Sequence, residues 1–421
     1  MSELITDETA HYMYEFIKKI CCEAGPGLAG TEHERARGDI IKNEMKKYCD
    51  TVHEEEFEFA LNAYLGWFKL GVVLSAIGFI FFHLSLLPIA PLWFSLGSFL
   101  IAVLIFLMLF YEFILEREFV DVIYPKGISR NIIGSIYSDS LKRGSDYLPP
   151  KKIIILGGHY DSAYEFRWLK ISKFGYYFAE VVLIMSVIIF FIGSVLWFFS
   201  LLFGSPIGWV RDIMWWVSIT VVPLATIIGF TFLGSNKHGG AVPGALDNLS
   251  AVAVTVAIAK KLKEHPELIP KDSLIRIIAF GAEEAGVRGS RAYVKMHLQE
   301  LKSTESYFLN FETLYNPEIS IFKSDRNGTL PHNPEFVKLV VEAAKKANVP
   351  YRLDPFAFGG GGTDCIPFSE NKINATCIFG MRVPMDMVNF YHQSYDNYDI
   401  INEDALKNAV KVGIETVRLL N

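Results

Sequence analysis

Two kinds of hydrophobic pattern share this chain and scarcely mix. In one, apolar residues come in short runs or at helical spacing among charged ones. In the other, charge disappears. Leu70 to Tyr111 contains no Asp, Glu, Lys or Arg, and Pro88 and Pro91 interrupt its middle. A second such region runs from Val181 to Val210, breaks at Arg211 and Asp212, and resumes from Ile213 to Asn236. Each region holds two stretches of about 20 apolar residues, the length that crosses a bilayer core. The pattern predicts two helical hairpins and four spans; helices in a soluble core rarely run so long without charge.

Within the uncharged runs only His83, near the exit of its helix, could titrate near neutral pH. Ion and substrate pathways usually need such groups at mid-span, so a transporter is disfavoured. A hairpin returns the chain to the side it left, so all polar segments share one face of the membrane. Their flanks carry Lys69, Arg167, Lys170, Lys173 and Lys237, whereas the hairpin turns carry only Arg211. The positive-inside bias then places the polar body in the cytoplasm. The opening "MSELITDETAHYMYEF" is acidic and lacks the apolar stretch of a signal peptide, which agrees. The expectation is a multi-pass integral membrane protein with the lipid bilayer as partner. The hairpins are assigned to 66–113 and 176–236, and one discontinuous catalytic domain to 1–65, 114–175 and 237–421.

Outside the hairpins the pattern alternates. "DETAHYMYEFIKKICCEAG" and "TEHERARGDIIKNEMKKYC" show apolar residues at helical spacing, the second with Thr31 as N-cap. "TVHEEEFEF", "EFVDVIYP" and "RNIIGSIY" read as strands. "KKIIILGGHYDS" reads as an apolar strand that breaks at its two glycines and delivers His159 and Asp161. "GALDNLSAVAVTVAIAKKLKEHP" is a loop entering a helix, followed by the strand "LIRIIAF". "SYFLNFETL" is another strand and "PHNPEFVKLVVEAAKKAN" another helix. "GGGGTDCIPFSENKINATCIFG" gives a glycine loop, a short helix and a strand, and a final helix closes the chain. Strands alternating with helices imply an α/β fold, a mostly parallel mixed sheet covered on both faces.

Composition changes this picture little. Of 421 residues, 51% are hydrophobic and 20% charged, with mean hydropathy +0.27, too oily for a plain soluble enzyme. Five cysteines, two of them adjacent, do not form a disulfide framework. A net charge of −6 offers no basic footprint for nucleic acid. Nothing in the pattern fixes the oligomeric state.

The chemistry gathers at strand ends. "LIRIIAF" runs into "FGAEEAGVRGS", which sets Glu283 and Glu284 side by side where a buried strand stops. An unpaired buried charge is costly, so partners are expected. In sheets of this kind ligand sites lie beyond the carboxyl ends of the strands. His159, Glu283, Glu284 and Glu312 all sit at such ends; Asp247 in "LDN" and His392 in "YHQ" complete the candidates. Each alone is ordinary: the Glu pair a solvated loop, Asp247 a helix cap, the histidines loop or surface residues. Together, imidazole and carboxylate suit a borderline metal such as zinc.

"GGHYDS", "PGALDNLSA", "FGAEEAGVRGSRAY", "LNFETL", "GTDCIPF" and "YHQSYDN" follow the order and approximate spacing of the zinc aminopeptidases of metallopeptidase family twenty-eight. That family also includes glutamate carboxypeptidases and is related to glutaminyl cyclases. "GPGLAGTEHERARGDIIKNEM" resembles its entry helix. The resemblance covers the polar segments nearly end to end but not the hairpins. It implies a zinc exopeptidase fold and two zinc ions bridged by Asp247. One ion would also take His159 and Glu312, and the other Glu284 and His392. Glu283 would be the general base, with Asp161 and Asp396 orienting the ligands. The family's usual residue at Glu312 is aspartate, so the backbone there must stand farther back or that metal must bind differently. Cys365 is expected in a pocket wall rather than as a catalyst.

The implied activity is a membrane-anchored aminopeptidase acting on peptides. A glutaminyl cyclase-like enzyme would bind one zinc and need no histidine at the first motif. A carboxypeptidase would need a cation for the substrate's terminal carboxylate, for which Arg288, Arg326 and Arg382 are available. A non-catalytic membrane scaffold or receptor would have shed ligands that this chain keeps.

Overall fold

The apolar runs form the strands of one sheet. In chain order they are β1 (Thr51–Ala60), β2 (Lys126–Tyr137), β3 (Lys152–His159), β4 (Ser273–Phe280), β5 (Glu305–Glu312), β6 (Ile319–Phe322), β7 (Tyr351–Asp354) and β8 (Asn374–Phe379). The structure, a computed structural model, describes residues 4–144, 146–234, 238–355 and 361–421. Lys237 among the expected flanks, Asn236 at the end of the second apolar region and Gly359 and Gly360 of the glycine loop lie outside the described residues.

The strands lie in the order β1-β2-β4-β3-β5-β8-β6-β7. The central β4, β3, β5 and β8 are mutually parallel. β1 and β2 join antiparallel on one side, and β6 pairs antiparallel with β8 before the parallel β7. The helices of this unit are α1 (Asp7–Glu23), α2 (Glu32–Met45), then, after the hairpins, α7 (Ser250–Glu264), α8 (Arg288–Ser303), α9 (Pro334–Lys346) and α10 (Glu403–Leu419). Thr31 caps α2 by accepting from the Glu34 N–H at 3.3 Å, and Asn333 and Asn402 cap α9 and α10.

Alternation along β4 shows why its sequence is apolar except at Ser273 and Arg276. Ile275, Ile277 and Ala279 share a core with α1, α7 and α10, while Phe280 packs on Tyr293 of α8 and on Phe368. With both faces covered, the one charged residue of the strand, Arg276, is paired, with Glu300 and the Tyr293 hydroxyl at 2.8 Å. Burying each apolar side chain contributes about 1.5–3 kcal/mol. All ten residues from Ser250 to Ala259 in α7 are buried, which makes that helix the spine of the core.

Two details depart from the sequence reading. Gly157 and Gly158 do not break β3, which runs through them to His159. A Cβ on Gly158 would lie 2.5 Å from Ala251 Cβ and 2.9 Å from the Phe311 carbonyl, so these glycines permit close packing within the strand. "EFVDVIYP" forms no strand: Asp121–Ile123 is a single 3-10 turn. Its Val122 and Ile123 are 85% and 63% exposed, and Pro125 has no N–H for a ladder.

The chain divides into two units: 1–61, 126–165 and 235–421 hold the sheet, and 62–125 and 166–234 hold the hairpins. The second unit contains α3 (Ala63–Leu84), α4 (Pro91–Met108), α5 (Lys173–Leu202) and α6 (Gly208–Thr231). These four helices are long and apolar enough to cross a membrane; the α4 span extends to Ile114. The interior of the unit is largely apolar, with Phe79, Phe82, Ile105, Phe190 and Met214 buried, and a few polar side chains meet within it. Ser98 meets Ser194, Trp197 donates to Ser85 at 2.8 Å, and His83 contacts Ser218 at 2.8 Å. Outward stand Ile80, Trp93, Phe178, Trp209 and Trp216. Small residues at helix contacts with an apolar exterior are what lipid-facing bundles show.

Candidate metal centre

Three neighbouring parallel strands end at one edge. His159 closes β3 in register with Phe280, which closes β4, and Glu312 closes β5. Glu283 and Glu284 follow β4 by three and four residues. The loop before α7 brings Asp247, and the segment before α10 brings His392. Asn248 clips the Asp247 loop to the end of β5: it donates to the Phe311 carbonyl and accepts from the Thr313 N–H, both at 3.1 Å. The Asp396 carboxylate accepts from the N–H groups of Leu246 at 2.8 Å and Asp247 at 3.1 Å.

Asp247 sits between the two imidazoles. Its Oδ1 lies 3.3 Å from His159 Nε2, and its Oδ2 lies 3.4 Å from His392 Nε2. Glu312 Oε1 is 3.5 Å from His159 Nε2, and Glu284 Oε2 is 3.5 Å from His392 Nε2. Three donor triads result, His159–Asp247–Glu312, His159–Glu283–Glu284 and Asp247–Glu284–His392, each with ligand atoms within 4.8 Å of one another. Glu283 Oε2 stands 3.7 Å from His159 Nε2 and belongs to neither of the two triads that share Asp247. The longer Glu312 therefore reaches the cluster, held by the Thr313 hydroxyl at 3.1 Å. Asp161 stands behind: its two oxygens accept from the N–H groups of Glu283 at 3.0 Å and Glu284 at 3.1 Å, and His159 Nδ1 lies 3.4 Å away.

The electrostatics are those of a buried site with surplus negative charge. Burial pushes Glu283, Glu284 and Glu312 up, and neighbouring carboxylates add to it. Burial also works to raise Asp247, but its hydrogen bonds to His159 and His392 hold it low. For His159, burial opposes the charge and the Glu312 and Glu283 carboxylates overcome it, raising it well above the ordinary imidazole value. Divalent cations would relieve this surplus, and a His and carboxylate donor set is one that zinc accepts. The residues present fit a metal. Left-handed backbone occurs at Ala282 (φ 53°), Thr313 (φ 47°) and His392 (φ 50°), each at or beside a donor. Such conformations cost about 1–3 kcal/mol each and gather at functional sites.

Sequence reasoning passed over four residues. Asn248 adjoins Asp247 within its motif. Asp364, inside "GTDCIPF", is fully buried, and burial pushes its carboxyl up to about 7. Glu34 and Arg37, in the entry helix, are buried to 2% and 0% exposure; two charges three apart in a predicted helix were the available signal. Cys365 is buried and its thiol pushed well up by burial, a wall rather than a nucleophile. Of the three arginines, Arg326 pairs with Glu370, Arg382 with Asp386, and Arg288 donates to the Ala285 carbonyl.

Residues 233–417 match the sequence profile of Peptidase family M28. Aminopeptidase YwaD of Bacillus subtilis (strain 168) is 32% identical over 174 residues, 40% of this chain and 35% of that protein. The chain thus spans about a third of the length of that relative. Among solved structures, a Zn-dependent exopeptidase from Parabacteroides distasonis is similar with TM-score 0.55 at 15% identity, covering 97% of each chain. A glutaminyl cyclase from Bacteroides thetaiotaomicron gives TM-score 0.53 at 15% identity, again over 97% of each chain. At that identity both show a shared fold, the zinc exopeptidase α/β architecture described above. The stretch from 233 to 417 is a Peptidase family M28 domain, homologous to Bacillus aminopeptidase YwaD.

Proposed function

We propose that this chain is a membrane-anchored di-zinc aminopeptidase. The observation that carries the reading is Asp247, whose two oxygens face different histidines and which is shared by two donor triads. His159, Asp247 and Glu312 would hold one zinc, and Asp247, Glu284 and His392 the other. Bound zinc would supply Lewis-acid polarisation of the scissile carbonyl and of a water. Glu283, outside the two triads that share Asp247, takes the water's proton and delivers it to the leaving amine. Asp161 fixes the backbone of both glutamates, and Asp396 fixes that of Asp247. The hairpin unit inserts as four spans with the polar body in the cytoplasm; alkaline carbonate should fail to release the protein from membranes.

A metal-dependent screen tests the activity. Free-amine dipeptides and tripeptides should be cleaved, N-blocked ones refused, and a chelator should abolish turnover until zinc is restored. Cleavage of N-blocked but not C-blocked peptides would replace aminopeptidase by carboxypeptidase, a reading that the pairing of Arg326 and Arg382 disfavours. The likeness to glutaminyl cyclases supports a second reading, and cyclisation of N-terminal glutamine without hydrolysis would select it.

A further inference from the structure

The first half of α2 lies outside the family-matched stretch, yet it holds the site's backbone. Glu34 and Arg37, three apart on one helical face, are two buried ionisable side chains with unusual partners. Glu34 Oε1 accepts from the Ser129 hydroxyl at 2.6 Å and from the Ala282 N–H at 3.2 Å, and Oε2 accepts from the Gly30 N–H at 2.7 Å. Ala282 is the left-handed residue immediately before Glu283. Arg37 donates from Nε to the Gly25 carbonyl at 2.8 Å, from Nη1 to Tyr160 at 3.1 Å and from Nη2 to Pro243. Tyr160 follows His159, and Pro243 precedes Asp247 by four residues. The loop before α2 is itself stapled beside Asp161: the Gly27 N–H donates to the Ser162 hydroxyl at 2.7 Å, and the Ser162 N–H donates back to the Gly27 carbonyl at 2.8 Å.

Packing alone does not account for this. An apolar side chain could fill either space, and buried ionic groups are often replaceable without loss of stability. What only these side chains supply is hydrogen bonding to backbone groups of three separate loops. Gly281 closes the contact: a Cβ there would lie 2.3 Å from Ser129 Oγ and 3.0 Å from Glu34 Oε1.

We propose that Glu34 and Arg37 are positioning residues for the metal centre, one helical turn that sets the loops bearing His159, Asp247 and Glu283 relative to one another. The inference rests on the metal-centre reading above and assigns the N-terminal segment a part in it.

The test uses the full-length chain carrying Glu34→Gln or Arg37→Lys, with Glu44→Gln as control. Glu44 is a buried carboxylate on the same helix that accepts from Tyr12 and Lys47 and touches none of these loops. Glutamine can accept at only one of its two ends, so the Ala282 or the Gly30 N–H loses its partner. Glu34→Gln should speed amide hydrogen exchange at 281–284 and shift the visible absorption of the cobalt(II)-loaded protein. It should lower kcat about 10–100-fold, the range for residues that orient metal ligands, with KM nearly unchanged. Arg37→Lys should shift the same cobalt bands. Glu44→Gln should lower Tm while leaving exchange at 281–284, cobalt bands and kcat as in the wild type. Equal exchange and equal cobalt spectra in Glu34→Gln and Glu44→Gln would overturn the proposal, and so would losses that track Tm alone in all three variants. Because exchange and spectrum need no turnover, they decide the matter even if the wild type fails to cleave peptides.

Discussion

Asp161→Asn is the sharpest probe of how the site is held. The carboxylate uses both oxygens, one on the Glu283 N–H at 3.0 Å and one on the Glu284 N–H at 3.1 Å, and is fully buried. Asparagine keeps the shape but can accept at only one end. Its NH2 group then faces a backbone N–H, donor against donor. A buried N–H left without an acceptor costs about 1–3 kcal/mol, and both original bonds were charge-assisted. The strand ends cannot shift to compensate, because β3 and β4 are paired in register up to His159 and Phe280. The loop carrying both glutamates must therefore tilt, moving Glu284 away from His392 and Glu283 away from His159. Loss of such a support typically weakens metal binding about 10–100-fold. Zinc affinity measured by competition with a fluorescent chelator, and kcat/KM in saturating zinc, should both fall for Asp161→Asn. Wild-type values for both would refute the claim that this carboxylate sets the geometry of the pair.

Two further outcomes follow from packing and charge. Gly158→Ala forces a methyl group to within 2.9 Å of the Phe311 carbonyl beside His159; overpacking should cost about 1–3 kcal/mol, seen as a lower Tm and weaker zinc retention, and an unchanged Tm would count against the close packing of β3. Elsewhere, burial opposes the charge on His297, but hydrogen bonds to Glu300 and Glu55 push it up to about 9 from the ordinary 6.5. Despite burial, hydrogen bonds from His297, with Arg276 for Glu300 and His53 for Glu55, hold these carboxyls down at about 2 from 4.5. The histidine part of this stability is complete below pH ~6.5 and is lost as pH rises through about 9; the carboxylate part is present above pH ~4.5 and lost as pH falls toward 2. Melting curves of His297→Gln should accordingly lose the decline in Tm between those upper limits, and a slope equal to the wild type's would refute the assignment.

What the sequence made legible follows from range. The central strands announce themselves because both faces are covered, so their sequences are mostly apolar, and the catalytic candidates stand where those runs stop. Charge at helix ends blurred the hairpins: α3 already begins at Ala63 and takes in Lys69, and α5 begins at Lys173 and takes in Glu180. The alternation in "EFVDVIYP" resembles a strand because nothing local says that no neighbouring strand will pair with it. Glu34 and Arg37 looked like ordinary polar positions on a helix, since their partners Ala282 and Tyr160 lie 248 and 123 residues away. Gly157 and Gly158 read as a turn because glycine's local meaning is freedom, whereas here the packing of Ala251 and Phe311 decides.

The central claim is a two-metal site with Glu283 as a base that does not bind metal. Zinc content and turnover, measured together on the purified wild type and on Glu283→Gln, test it most directly. The account predicts two zinc ions per chain in both proteins, with turnover of the variant reduced about 10²–10⁴-fold. A variant that cleaves peptides at the wild-type rate, or a wild type that binds no zinc in zinc-replete medium, would contradict it.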